Sequence, residues 1–115
     1  MDLLLEEEIL RLYREPLIGA SNNNSYGEEN IRNLVNKFRT LGREETEAMV
    51  GWLTLYSTSP DLAASYVSVG VLHGLGRKPE VEAAYAWARG LADGARIISH
   101  FDIGVALAEH FVLKD

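Results

Sequence analysis

The chain has 115 residues, of which 47% are hydrophobic and 24% charged, so it is long enough for one globular domain and too apolar for a disordered segment. It contains no cysteine, which excludes disulfide bonds, a thiolate nucleophile and cysteine-ligated zinc. The 17 acidic residues outnumber the 11 basic ones, which gives a net charge of −6, and no basic stripe is present. We therefore expect no nucleic-acid partner, and the acidic balance permits a basic protein as partner.

The first predicted element is an N-terminal helix within residues 1–15, because Leu5, Ile9 and Leu12 recur at helical spacing before the helix-breaking Pro16. Its apolar start is only three residues long and is flanked by acids, which differs from a signal peptide. No apolar run in the sequence approaches the ~20 residues that span a bilayer. We therefore expect a cytoplasmic protein with no membrane partner.

The next segment, residues 16–27, is rich in asparagine and serine, which bond their own backbone and compete with helix formation. It is expected to be a solvated connector. The alternative is a recognition loop, since loops carry binding contacts more often than scaffolds do. Its candidate residues are Asn22, Asn23, Asn24 and Tyr26.

Residues 28–57 are predicted to form a pair of antiparallel helices. In the first of the two, from about Glu28 to Leu41, apolar residues recur at intervals of three and four, which is typical of an amphipathic helix. Gly42 is expected to end this helix in the left-handed conformation. The second helix is predicted from about Glu44 to Tyr56.

Residues 60–93 are predicted to form a second helix pair, with Ser59 as the N-cap and Pro60 as the first helical residue. The helix over residues 60–75 is apolar on nearly all sides, so it is expected at the centre of the fold. The small residues Ala63, Ala64 and Gly70 are expected to mark its closest approach to other helices. The helix over residues 79–93 is rich in alanine, which allows close packing.

A C-terminal helix is predicted within residues 95–113, and two starts are possible. Ser99 and Asp102 resemble a capping box, which favours a start near His100. The alternative start is near Ala95, because no helix breaker follows Gly94. The sequence as a whole therefore predicts a single all-α domain of about six helices in antiparallel helix-pair packing.

A weak internal repeat supports this pairing. Leu41-Gly42-Arg43 recurs as Leu75-Gly76-Arg77, and Val69-Gly70-Val71 as Ile103-Gly104-Val105, both at an offset of 34 residues. Within residues 65–94, the Gly74-x-Gly76 turn, Ala84-x-x-Trp87 and Gly94 resemble the Sel1-like branch of the tetratricopeptide repeats, and residues 28–57 resemble it in outline. The resemblance implies stacked helix pairs that bind another protein.

Catalytic and metal-binding motifs are missing from the sequence. His100 and His110 are ten residues apart, or ~15 Å along one helix, and His73 lies on another helix. There is no His-Glu-x-x-His motif, serine nucleophile elbow or phosphate-binding loop. We therefore expect neither an enzyme nor a bound metal or cofactor.

The leading functional hypothesis is a non-catalytic protein–protein interaction module, since stacked helix pairs form grooves that bind peptides or domains. The repeat register predicts a groove lined by Asn33, Asn36, Lys37, Ser68 and His73. A sharper hypothesis within this class is an immunity protein that neutralises a toxin. The alternative class is a small-ligand-sensing regulatory bundle, which would need a closed apolar cavity near His73 and Trp87.

Overall fold

Six α-helices and one π-helical turn make up most of the computed structural model, which describes residues 3–19 and 24–113. No strand occurs within these ranges, and the prediction of a single all-α domain is confirmed. In chain order, the helices are α1 (Leu3–Arg14), α2 (Glu28–Arg39), α3 (Arg43–Tyr56), α4 (Leu62–Gly74), α5 (Lys78–Arg89) and α6 (Gly94–Ala108), and the π-helical turn Glu109–Leu113 continues α6.

Helix α4 lies at the centre of the fold, as its all-round apolar character predicts. All residues from 65 to 72 are buried, and α4 packs against α2, α3, α5 and α6. Its most extensive contact is with α6, whereas α2 and α3, which are consecutive in the chain, make little direct contact. The most extensive helix contact therefore joins two alternate helices, α4 and α6, rather than the members of a predicted pair.

The crossing of α4 and α6 is built from small residues, as predicted for Gly70. A Cβ atom added to Gly70 would lie 2.7 Å from the carbonyl oxygen of Gly104 and 2.8 Å from Cδ1 of Ile31. One turn further along α4, a Cβ atom on Gly74 would lie 3.7 Å from Cβ of Ala108. Gly70 and Gly104, which correspond in the sequence repeat, thus lie on opposite sides of one helix crossing.

The start of α4 differs from the prediction. Its N-cap is Asp61, whose Oδ1 accepts hydrogen bonds from the backbone N–H groups of Ala63 at 3.1 Å and Ala64 at 3.4 Å. Ser59 instead supports the preceding turn, because its Oγ accepts from the N–H of Asp61 and its carbonyl accepts from the Ser65 hydroxyl. The helix consequently begins at Leu62 rather than at Pro60.

Three further boundary predictions were wrong. The helix predicted over residues 79–93 ends at Arg89, and residues 90–93 form a turn. Gly42 has an extended backbone with φ −78° and serves as the N-cap of α3, since only three residues separate α2 from α3. Ser99 lies inside α6, where its hydroxyl donates to the carbonyl of Ala95 at 3.0 Å. The alternative start of the last helix, near Ala95, is the one observed.

Candidate functional site

An open groove of about 710 Å³ runs between α5 and α6. We call it the α5–α6 groove. Helix α5 contributes Lys78, Val81, Glu82, Tyr85 and Arg89, which recur at helical spacing and form one wall. Its other lining residues are His73 and Gly76, from α4 and the turn after it, and Val105 from α6.

The floor of the groove is apolar and consists of Val81 and Tyr85 from α5 and Val105 from α6. These side chains line the groove because α6 covers only part of the apolar face of α5. Val81 is 9% exposed and belongs to the core, whereas Tyr85 and Val105 are half-buried and pack against the core from the groove side. Beneath them, the ring of Phe101 is fully buried and contacts Tyr85 edge-on, with ring centroids 5.4 Å apart. The floor is therefore supported by a rigid, well-packed layer.

A hydrogen bond between Tyr85 and Asp102 links α5 to α6 beside the groove. The hydroxyl of Tyr85 donates a 2.7 Å hydrogen bond to Oδ1 of Asp102. Burial, and secondly this hydrogen bond, raise the pKa of Tyr85 well above its ordinary value of 10.0. Tyr85 therefore stays protonated at neutral pH and acts as a hydrogen-bond donor.

A second polar contact lies at the end of the groove nearest the α4–α5 turn. Nε2 of His73 is 3.0 Å from Oε1 of Glu109, and both side chains are partly exposed. Glu109 begins the π-helical turn that follows α6. This pair links the last turn of α4 to the end of α6.

The α5 wall carries two basic residues, Lys78 and Arg89, which are less firmly paired than Tyr85 and His73. Nζ of Lys78 lies 4.0 Å from Oε1 of Glu82, and both side chains are largely exposed, so their attraction is weak. Arg89 is exposed and forms no ion pair or hydrogen bond with any side chain in residues 3–19 or 24–113. The nearest acid downstream, Asp93, pairs with Arg96 instead.

Only one of the five predicted groove residues lines the α5–α6 groove, and this is His73. Ser68 does not line any open groove: it is fully buried, and Tyr13 of α1 covers it with a 2.5 Å hydrogen bond between the two hydroxyls. Lys37 is half-buried and pairs with Glu8 of α1. The predicted set is therefore divided between separate parts of the fold.

The remaining two predicted residues of α2 lie away from the groove. Asn33 is half-buried and Asn36 is exposed, and neither is among the residues that line the α5–α6 groove.

Of the predicted recognition loop, Asn22 and Asn23 lie outside the described residues. Asn24 is not displayed to solvent: it is 1% exposed, and its Nδ2 donates to Oδ1 of Asn30 at 2.8 Å. Tyr26 is displayed, with 57% of its surface exposed. Its carbonyl accepts a 2.6 Å hydrogen bond from the hydroxyl of Tyr66, which fixes the backbone of the loop against α4.

The three histidines do not come together. His100 packs against Tyr66, with ring centroids 6.0 Å apart, while the ring of His110 contacts Phe111. Within the described part of the chain, no three His, Asp or Glu side chains are grouped so that they could hold a metal ion.

A smaller cleft of about 340 Å³ lies beside Trp87. It is lined mainly by the α3–α4 connection and by the region where α5 ends and α6 begins. His73 and Trp87 therefore belong to two separate concave surfaces rather than to one closed cavity.

Sequence reasoning missed most of the groove. Val81 and Tyr85 have the spacing of core residues, and nothing in their local sequence shows that α6 leaves one side of them open. The signal that could have pointed to the groove is the helical spacing of Lys78, Val81, Tyr85 and Arg89.

None of the helices in residues 3–19 and 24–113 has the length and apolarity needed to cross a membrane. Comparison with known proteins gives no match to any protein-family model, curated protein or solved structure.

Proposed function

We propose that this protein is a non-catalytic protein-interaction module whose α5–α6 groove binds an amphipathic helix of a partner protein. The observation that carries the proposal is the open groove of about 710 Å³ with an apolar floor between two packed helices. Amphipathic helices commonly bind in such grooves through apolar anchors at intervals of three and four residues.

The backbone chemistry of the groove favours a helical ligand over an extended one. The N–H and C=O groups within α5 and α6 are used in their own helices, so these walls offer no sheet edge to an extended peptide. A helix satisfies its own backbone and can bury apolar side chains without leaving polar groups unpaired. The α5 wall from Lys78 to Arg89 is ~16 Å long and matches about three helical turns.

The polar groups of the groove favour binding over catalysis. A catalytic base works best with a pKa near the operating pH, whereas the pKa of Tyr85 is shifted upward, away from neutrality. Asp102 is held by Tyr85, and Glu109 is held by His73.

The open shape of the groove also favours a protein segment over a small ligand, which is usually enclosed on most sides. Neutralisation of a toxin stays a prediction from size and composition alone.

The proposal can be tested by selecting binders from a displayed library of helix-forming peptides, using the full-length protein as bait. The affinity of the tightest peptide would then be measured for the wild type and for Val105→Gln, which makes the groove floor polar without adding charge. Because burying a valine-sized side chain contributes about 1.5–3 kcal/mol, we expect Val105→Gln to weaken binding about ten-fold or more.

Ala106→Gln is the matched control, since Ala106 is the next residue of α6 and is exposed. Circular dichroism would verify that both variants are folded. Equal affinity of the wild type and Val105→Gln, or a selection that returns no binder, would contradict the proposed function.

A further inference from the structure

The charged side chains around the α5–α6 groove differ in whether they already have a partner. Asp102 accepts from Tyr85, Glu109 contacts His73, and Glu82 lies near Lys78. Arg89 alone among the charged residues that line the groove has no ion pair or hydrogen bond to another side chain within residues 3–19 and 24–113. It lies in the last turn of α5, at the end of the wall opposite Lys78.

From this arrangement, and resting on the proposed function, we infer that the partner helix carries a carboxylate side chain that pairs with Arg89. A guanidinium group presents a planar set of donors that matches a carboxylate and can bind it through two hydrogen bonds. The partner would place apolar side chains on Val81, Tyr85 and Val105 and its acidic residue beyond them, near the end of α5.

The inferred pairing also sets the direction of the partner helix. Arg89 marks one end of the α5 wall, while the opposite end carries Lys78 beside the acidic Glu82. An acidic residue at one end of the partner's apolar stripe therefore fits one orientation better than the reverse. Rim charges of this kind contribute to specificity and association rate more than to total affinity.

The local pattern differs from what the net charge predicts. A net charge of −6 favours a basic partner, and Asp102 and Glu109 place negative charge on the α6 side. Each of these carboxylates already has one hydrogen-bond partner, however, whereas Arg89 has no side-chain partner within residues 3–19 and 24–113. The charged lining residue that has no side-chain partner in these ranges is therefore a cation.

The test uses the tightest peptide from the helix-forming library and compares wild type, Arg89→Glu and Arg43→Glu. Arg43 is an exposed arginine at the start of α3 and does not line the groove, so its variant controls for the change in net charge. We expect Arg89→Glu to weaken binding about ten-fold at low salt. The variant loses the ion pair with the partner's carboxylate and places two carboxylates, which repel each other, in its position. Arg43→Glu should change the affinity less than about two-fold.

A charge-swapped peptide completes the experiment. Replacing its acidic residue by lysine should weaken binding to the wild type and restore binding to Arg89→Glu. Selected peptides enriched in lysine and arginine but not in aspartate or glutamate would overturn the inference. Loss of binding in Val105→Gln without loss in Arg89→Glu would overturn it too, while leaving the proposed function intact. If neither variant changes the affinity, or no peptide is selected, the proposed function fails and the inference fails with it.

Discussion

The backbone of Gly104 lies directly against that of Tyr66, so that a Cβ atom on Gly104 would be 2.2 Å from the carbonyl oxygen of Tyr66. The obstructing atom belongs to the main chain of α4 and cannot move aside as a flexible side chain could. Glycine at this position therefore allows α4 and α6 to approach as closely as they do.

Gly104→Ala should lower the free energy of unfolding by about 1–3 kcal/mol or more, because the two central helices must separate. Gly51→Ala is the matched control: Gly51 also lies inside a helix, but an added Cβ would meet no described atom within 4 Å beyond its chain neighbours and the local backbone of its own helix. That variant should gain up to about 1 kcal/mol from helix propensity. Urea unfolding of both variants measures the difference, and equal shifts would contradict the observed crossing.

Buried asparagines tie the end of α1 to α2. Asn30 donates to the carbonyls of Leu12 at 2.9 Å and Pro16 at 3.0 Å, and its Oδ1 accepts from Asn24. Removal of the amide takes the side-chain partner from the Leu12 carbonyl and one hydrogen bond each from Pro16 and Asn24. Asn30→Ala should therefore cost about 1–3 kcal/mol in chemical denaturation. Asn36→Ala, on the exposed side of the same helix, should stay within about 0.5 kcal/mol of wild type. A loss of similar size in both variants would argue against the network.

Two phenylalanines near the C-terminus should respond differently to truncation. Phe101 is fully buried, whereas Phe111 is 36% exposed and lies 5.6 Å from the guanidinium of Arg32. Phe101→Ala should lower the free energy of unfolding by about 3–5 kcal/mol, and Phe111→Ala by about 1 kcal/mol or less. Thermal unfolding followed by circular dichroism measures both losses. A larger loss of stability in Phe111→Ala than in Phe101→Ala would contradict the burial of Phe101 in the core.

Alkaline pH should destabilise the protein through its tyrosines. Burial raises the pKa of Tyr13, Tyr56, Tyr66 and Tyr85 above the ordinary value of 10.0. Above about pH 10 the unfolded chain releases these protons while the folded chain retains them. The tyrosines' contribution to stability is therefore fully present below this pH and is lost as pH rises through the folded pKa values. Urea unfolding at about pH 8 and about pH 11 measures the loss.

Tyr13→Phe isolates the contribution of one tyrosine to this effect. The variant loses the hydrogen bond to Ser68, which should cost about 1 kcal/mol at neutral pH. Its stability should nevertheless fall less between neutral and alkaline pH than that of wild type. The same pH dependence in both proteins would contradict a raised pKa at Tyr13.

The helices and the central position of α4 could be predicted from the sequence because apolar periodicity is a local property. Helix starts were less predictable, since Ser59 and Asp61 are both good N-cap residues and only the structure shows which side chain reaches the free N–H groups. The burial of Ser68 could not be predicted either, because the residue that covers it, Tyr13, lies 55 positions away.

The groove was missed for a related reason. Val81, Tyr85 and Val105 have the composition and spacing of core residues, and whether such residues face a core or a groove depends on how completely the neighbouring helix covers them. Tertiary packing alone decides this coverage.

The central claim, that the α5–α6 groove binds a partner helix, is tested most directly by nuclear magnetic resonance. The ¹⁵N-labelled protein would be titrated with the tightest peptide selected from the helix-forming library. The largest amide shift changes should fall on His73, Val81, Tyr85, Arg89 and Val105, which line the groove. Changes concentrated instead on α2, or on the loop that displays Tyr26, would contradict the account.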